Sequence, residues 1–197
     1  MKVQDTLFER WRAAFFTVLE SHDTGTRLKE AAVEGALRAW TEHLTAAVVS
    51  VCGAMGWRAA GRGHLGDVLP VPRNEYLALD IVAFATNAES RWPLPIAVFE
   101  LENSPTLERV AYSLWKVLCV RAALRVVFAY RRDTSEASAL AGQLLDAVIA
   151  GLSIDGRLAL GGETCLIVGN RGEAEAFPYG YFKVWVLDPN TGRFART

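Results

Sequence analysis

The chain has 197 residues, 51% of them hydrophobic and 22% charged, with a formal net charge of −1. That balance suits one folded domain spanning residues 1–197 and excludes global disorder. The near-neutral charge counts against a protein that lives on nucleic acid, whose affinity comes largely from neutralising phosphates. The apolar runs are strand-sized or helix-sized and broken by charges, so none is expected to span a bilayer. The first residues mix acids and arginines into their apolar pattern, unlike a signal peptide, and a cytoplasmic protein is expected.

Residues 5–20 carry Leu7, Trp11, Ala14, Phe15, Val18 and Leu19 at helical spacing. A turn cluster follows from Ser21 to Thr26. One long helix is predicted from Thr26 to Met55, striped by Val33, Leu37, Trp40, Leu44, Val48 and Val51 and ended by Gly56. Trp57–Arg62 reads as a first strand. Gly61–Pro72 reads as a loop rich in glycine and proline. Glu75–Ala85 and Leu94–Glu102, both rich in β-branched and aromatic residues, read as second and third strands, joined through the polar stretch Asn87–Pro93 as a hairpin.

Ser104 and Pro105 suit the N-cap and first position of a helix reaching Ala122. Leu124–Tyr130 is a fourth strand and Ser135–Leu152 a further helix. Glu163–Gly169 and Tyr181–Asp188 complete the pattern as late strands. The order is that of an α/β protein.

Glycines at 61, 63 and 66 match a dinucleotide-binding pattern literally. The following Asp67–Pro72 holds two prolines and cannot open the helix that such a site needs, so a loop is expected. Cys52, Cys119 and Cys165 are far apart and read as small buried hydrophobes. No P-loop, nucleophile elbow or zinc pattern occurs. Only Lys2, Lys29, Lys116 and Lys183 among the 21 basic residues are lysines; arginine, with its planar fork, suits phosphate contacts.

Three acids stand at informative places. Asp80 lies between Leu79 and Ile81 in an apolar run. Glu100 and Glu102 close the next run, and a spacing of two puts them on one face of the pleat. In a hairpin, Asp80 can lie beside Glu100. Carboxylates near a buried face repel each other and lose hydration, and a hard divalent cation relieves both penalties.

On these residues, and on the helix and strand that follow, the chain resembles the PD-(D/E)xK nuclease superfamily. The resemblance covers roughly residues 26–130. It implies a restriction-endonuclease-like αβββαβ core, with a mixed central sheet flanked by helices and with an N-terminal helix and C-terminal strands added. It also implies a metal, Mg2+ or Mn2+, held by Asp80, Glu100 and the main-chain carbonyl of Leu101. The reaction it implies is hydrolysis of a phosphodiester by a metal-activated water, on nucleic acid and DNA first, in defence or repair. The usual lysine of the second motif is replaced by Glu102. Some members place a motif residue on the following helix instead, and Lys116 stands at that place, in line with Arg109 and Tyr112. Lys116 would then supply the positive charge, or Glu102 would act as general base or bind a second metal. A further carboxylate often comes from the long helix, and Glu34 is the expected one, with Glu30 and Glu42 as rivals.

Double-strand cleavage would call for two sites and hence a homodimer. Two other readings stay open. One is a catalytically inactive domain that serves as a binding or assembly module. The other is a structural partner with Trp11 or Trp185 as exposed anchors.

Overall fold

A computed structural model describes residues 5–87 and 90–197. Its centre is a seven-stranded sheet in the order β1-β2-β3-β4-β5-β6-β7, so every strand lies beside its neighbours in sequence. The strands are β1 Trp57–Gly61, β2 Ile81–Ala85, β3 Ala97–Leu101, β4 Leu124–Arg131, β5 Glu163–Asn170, β6 Phe182–Asp188 and β7 Arg193–Arg196. The sheet is mixed: β3, β4 and β5 run parallel, and every other neighbouring pair is antiparallel. Parallel neighbours need crossovers, and the helices α4 (Leu107–Leu118) and α5 (Thr134–Leu144) supply them.

Helices cover both faces. On one side α1 (Leu7–Glu20), α2 (His22–Glu34) and α3 (Leu37–Ala54) form a cluster with Ile81, Phe99, Leu101 and Phe128. On the other, Val110, Leu114 and Val117 of α4 and Leu140 and Leu144 of α5 pack on Val82, Val98 and Val127. A short α6 (Ile154–Ala159) precedes β5. From α3 onward the order is helix, three strands, helix, strand, which is the expected α/β architecture.

Several boundaries differ from the periodic pattern. The predicted helix 26–55 is two helices, because Gly35 adopts φ +66° and closes α2 with a left-handed cap. Val33 and Leu37, expected in its buried stripe, flank that break and are 51% and 44% exposed. The second strand is shorter than Glu75–Ala85. Leu77 and Ala78 take positive φ, which ends any extended run before Ile81. Helix α4 begins after Thr106 rather than Ser104, and the Ser104 hydroxyl accepts the Thr106 N–H at 3.2 Å. The predicted helix 135–152 stops at Leu144 and continues as a single π turn over Leu145–Ile149.

Trp11 and Trp185 are buried among aromatic and aliphatic side chains, not exposed as anchors. Cys52 and Cys165 are buried, but Cys119 is exposed at the end of α4. The segment Gly61–His64 closes on itself through reciprocal main-chain bonds of 3.0 and 2.8 Å, a turn with no helix behind it. The connection Asn87–Pro93 falls partly on residues 88 and 89, outside the described ones. Among the described residues no helix is long and apolar enough to cross a membrane.

Candidate active site

The β2–β3 hairpin sets the geometry. Ile81 pairs with Phe99 and Val82 with Val98, a register that continues to Asp80 opposite Glu100. Directly opposed residues share a face, here the face beneath α4. Asp80 is held there by the turn before it. Leu77 and Ala78 in left-handed conformation swing the chain so that Leu79 enters the core, 1% exposed, and its N–H returns to the Tyr76 carbonyl. Asp80 Oδ2 then accepts the Leu101 N–H at 2.7 Å. Two non-glycine residues at positive φ are costly, and strain of this kind is usually found where a site needs the backbone aimed.

Glu100 is 3% exposed. Ser113 of α4 donates to its Oε2 at 3.1 Å. One helical turn later, Lys116 Nζ stands 2.8 Å from Oε1 as an ion pair. The same ammonium also donates to the Ala78 carbonyl at 2.7 Å, so Lys116 ties Glu100 to the turn before β2. The Tyr112 ring lies 5.7 Å from the same ammonium. Asp80, Glu100 and Lys116 are thus brought together by β2, β3 and α4.

Burial pushes the Glu100 carboxyl up to about 7, against the Lys116 bond and with help from the Asp80 charge. Burial also raises Asp80, while its bond to Leu101 and the Lys116 charge pull it down. Two adjacent carboxylates that ionise reluctantly are a common mark of a functional site.

Glu102 continues the same side of β3. Its N–H reaches Phe128 O at 3.0 Å, and its carboxylate accepts the Ser104 N–H at 2.7 Å. Its charge is among those that raise Asp80, so it lies near the pair. Glu34 does not join them. The break at Gly35 sets it on the exposed last turn of α2, while α3 is the helix that packs against β1 and β2. Among the described residues no hydrogen bond or ion pair links Glu34 to Asp80 or Glu100. The rival Glu42 is on α3 but exposed and paired with Arg38 at 3.0 Å. It lines a cleft of about 500 Å³ with Thr41, Arg62 and Asn103, and Asn103 donates to Thr41 beside Glu102.

Among the described residues no group of three His, Cys, Asp or Glu side chains is gathered to hold a metal. The arrangement present is a two-carboxylate one. Carboxylate oxygens of this kind are the hard ligands a small divalent cation takes, and two of them suit at most one ion. Glu100 Oε1 already carries the Lys116 ammonium at 2.8 Å, and Leu101 meets Asp80 through its N–H.

Sequence reading missed Ser113 and the Ala78 carbonyl. Ser113 was findable, since it precedes Lys116 by three and so shares its helical face. The carbonyl was not, because nothing in Leu77-Ala78 announces left-handed backbone.

No protein-family model matches the chain, and no curated protein matches it. A solved structure of NucC from E. coli MS115-1, in its cAAA-bound form, aligns over 100% of this chain and 85% of that chain. The identity is 15% and the TM-score 0.48. A likeness of that degree assigns neither activity nor ligand. What the chain itself presents is a buried Asp–Glu pair under a helix lysine, at the edge of a mixed α/β sheet.

Proposed function

We propose that this chain is a metal-dependent nuclease-type phosphodiester hydrolase acting on nucleic acid, DNA first, in defence or repair. The observation that carries the reading is the juxtaposition of Asp80 and Glu100 with Lys116 on Glu100. Asp80 and Glu100, with the Leu101 main chain, would hold Mg2+ or Mn2+. Such an ion supplies Lewis acidity to a phosphoryl oxygen and a more acidic water. Lys116 places a positive charge where a phosphorane-like transition state gains negative charge. Glu102, on the same side of the strand end, would take a proton from water or bind a second metal. A homodimer would bring two such sites to the two strands of a duplex.

The test is nicking of supercoiled plasmid with Mn2+. Wild-type protein is expected to cleave, and Glu100→Ala to be slower by on the order of 10²-fold or more. Unchanged cleavage by Glu100→Ala removes the proposal.

A second reading, an inactive domain kept for binding or assembly, is favoured by the same ion pair. Lys116 already neutralises Glu100, and Glu102 is spent on Ser104. Calorimetry with Mn2+ separates the two readings. Binding heat that vanishes in Asp80→Asn supports the enzyme, and no heat in either protein supports the inactive module.

A further inference from the structure

A second polar concavity opens on the same sheet edge. It is a cleft of about 290 Å³ lined by Pro105, Tyr130, Arg131, Arg132, Glu136 and Arg171. Arg131 ends β4 and Arg171 follows β5, so the cleft lies at the carboxyl ends of parallel strands, where open α/β sheets take their ligands.

The three arginines are not equivalent. Arg132 is committed: its Nη2 stands 3.1 Å from Glu136 and 3.5 Å from Asp133. The Glu136 carboxylate also accepts the Arg132 N–H at 3.0 Å, so this acid faces Arg132. Arg131 and Arg171 have no carboxylate within ion-pair distance among the described residues. Each is nevertheless held in place. Arg131 Nη1 donates to the Tyr130 carbonyl at 2.6 Å, and the Arg171 guanidinium lies 5.8 Å from the Tyr130 ring. The chain around Arg171 is tied to β4 by the Gly172 N–H on the Arg132 carbonyl at 2.7 Å. Burial lowers the Arg131 pKa. Glu136 works against that lowering and the like charge of Arg171 adds to it. Two guanidinium groups lining one cleft, neither within ion-pair distance of a carboxylate among the described residues, suit an anion, and the planar fork matches phosphate oxygens.

The register relates this cleft to the carboxylates. Glu100 is level with Val127 and Leu101 with Phe128, so Glu102 is level with Ala129, and Arg131 follows two positions on. With about 3.3 Å per residue and about 4.8 Å between strands, the Glu102 and Arg131 backbones lie about 8 Å apart and those of Glu100 and Arg131 about 14 Å, on one face of the sheet. The longer span is about four nucleotides at a rise of about 3.4 Å each.

We infer that Arg131 and Arg171 form a phosphate site that grips the nucleic-acid backbone a few nucleotides from the bond positioned at Asp80 and Glu100. The inference rests on the nuclease reading, and the shared chemistry, a phosphate between two guanidinium groups, is testable apart from it. Anisotropy of fluorescein-labelled DNA in EDTA, where no hydrolysis occurs, is measured across a salt series. Arg171→Ala and Arg131→Ala are each expected to weaken binding on the order of tenfold, the loss of a charged hydrogen bond. Each also reduces the slope of log K against log salt by about 0.7–0.9, one phosphate contact fewer. Arg132→Ala, already paired, leaves the slope at the wild-type value. Arg131→Lys keeps the charge and the strand but not the fork, and is expected to keep the slope while losing part of the affinity.

In parallel, inorganic phosphate is titrated against the arginine Nε–Hε resonances of wild type and Arg171→Ala. If wild type binds and cuts DNA while both alanine variants keep its slope, the phosphate site is overturned and the nuclease reading stands. If DNA does not bind but phosphate shifts Arg131 and Arg171 in wild type alone, the cleft is a site for a free phosphate ligand, the DNA grip is overturned, and the nuclease reading is decided by plasmid nicking with Mn2+. If neither probe registers, the phosphate site falls.

Discussion

Two carboxylates and one ammonium share the space beneath α4, and their proton balance follows from burial. Glu100 ionises near pH 7 in the folded chain, against an ordinary value of 4.5. Between those values the folded protein keeps a proton that the unfolded chain releases, so stability falls as pH rises through the window. The melting temperature of metal-free protein is expected to drop between pH 4.5 and 7, and Glu100→Gln to flatten that part of the profile. Saturating Mn2+ should oppose the drop, because it rewards the ionised form. Thermal melts at several pH values, with and without metal, check both statements. Lys116 has two jobs in this geometry: neutralising Glu100, and offering positive charge to whatever the carboxylates hold. Lys116→Met is therefore expected to lower turnover by about 10²–10³-fold while leaving Mn2+ binding intact or tighter. Loss of metal binding in that variant would mean that the lysine only holds the site together.

Among the elements, the break between α2 and α3 matters most for the site. Gly35 at φ +66° lets the chain turn within two residues and start α3 against β1 and β2. An alanine there is expected to cost about 1–2 kcal/mol, the penalty of a side chain in left-handed backbone, readable by urea denaturation. The break was invisible in the sequence because the apolar spacing runs through it: Val33 and Leu37 fall in step with Trp40 and Leu44. Position and periodicity put Glu34 beside the site, while the cap puts it on another helix. Helix α4 was more legible. Val110, Leu114 and Val117 face the sheet as their spacing predicts, which leaves Ser113 and Lys116 over Glu100.

At the scale of the whole molecule, the sheet is clamped between two cores of different texture. The face under α1–α3 is aromatic. Trp11 is 0% exposed, with ring centroids 5.2 Å from Phe15, 5.4 Å from Phe99 and 6.4 Å from Phe128. Trp11→Ala is expected to cost about 3–5 kcal/mol, seen as a lower denaturation midpoint. Among the described residues its indole N–H has no partner, so Trp11→Phe should cost far less than the alanine change. Because α1 braces the side of β3 opposite the carboxylates, the alanine variant should also loosen the hairpin that aligns Asp80 with Glu100.

By itself the sequence determined the helix, three strands, helix, strand order of the core and left Asp80 able to lie beside Glu100 if β2 and β3 paired as a hairpin. Alternation and helical spacing are local properties of the chain, and a two-residue pleat leaves no freedom about which side Glu100 and Glu102 share. It also singled out Lys116, a lone lysine at the right helical distance. Only the tertiary structure decided that Lys116 reaches Glu100 and Ala78, that Glu34 stands apart, and that Arg131 and Arg171 converge on one cleft. Those outcomes depend on left-handed backbone at Gly35, Leu77 and Ala78, and on strands far apart in the chain becoming neighbours. No pattern of hydrophobicity encodes either.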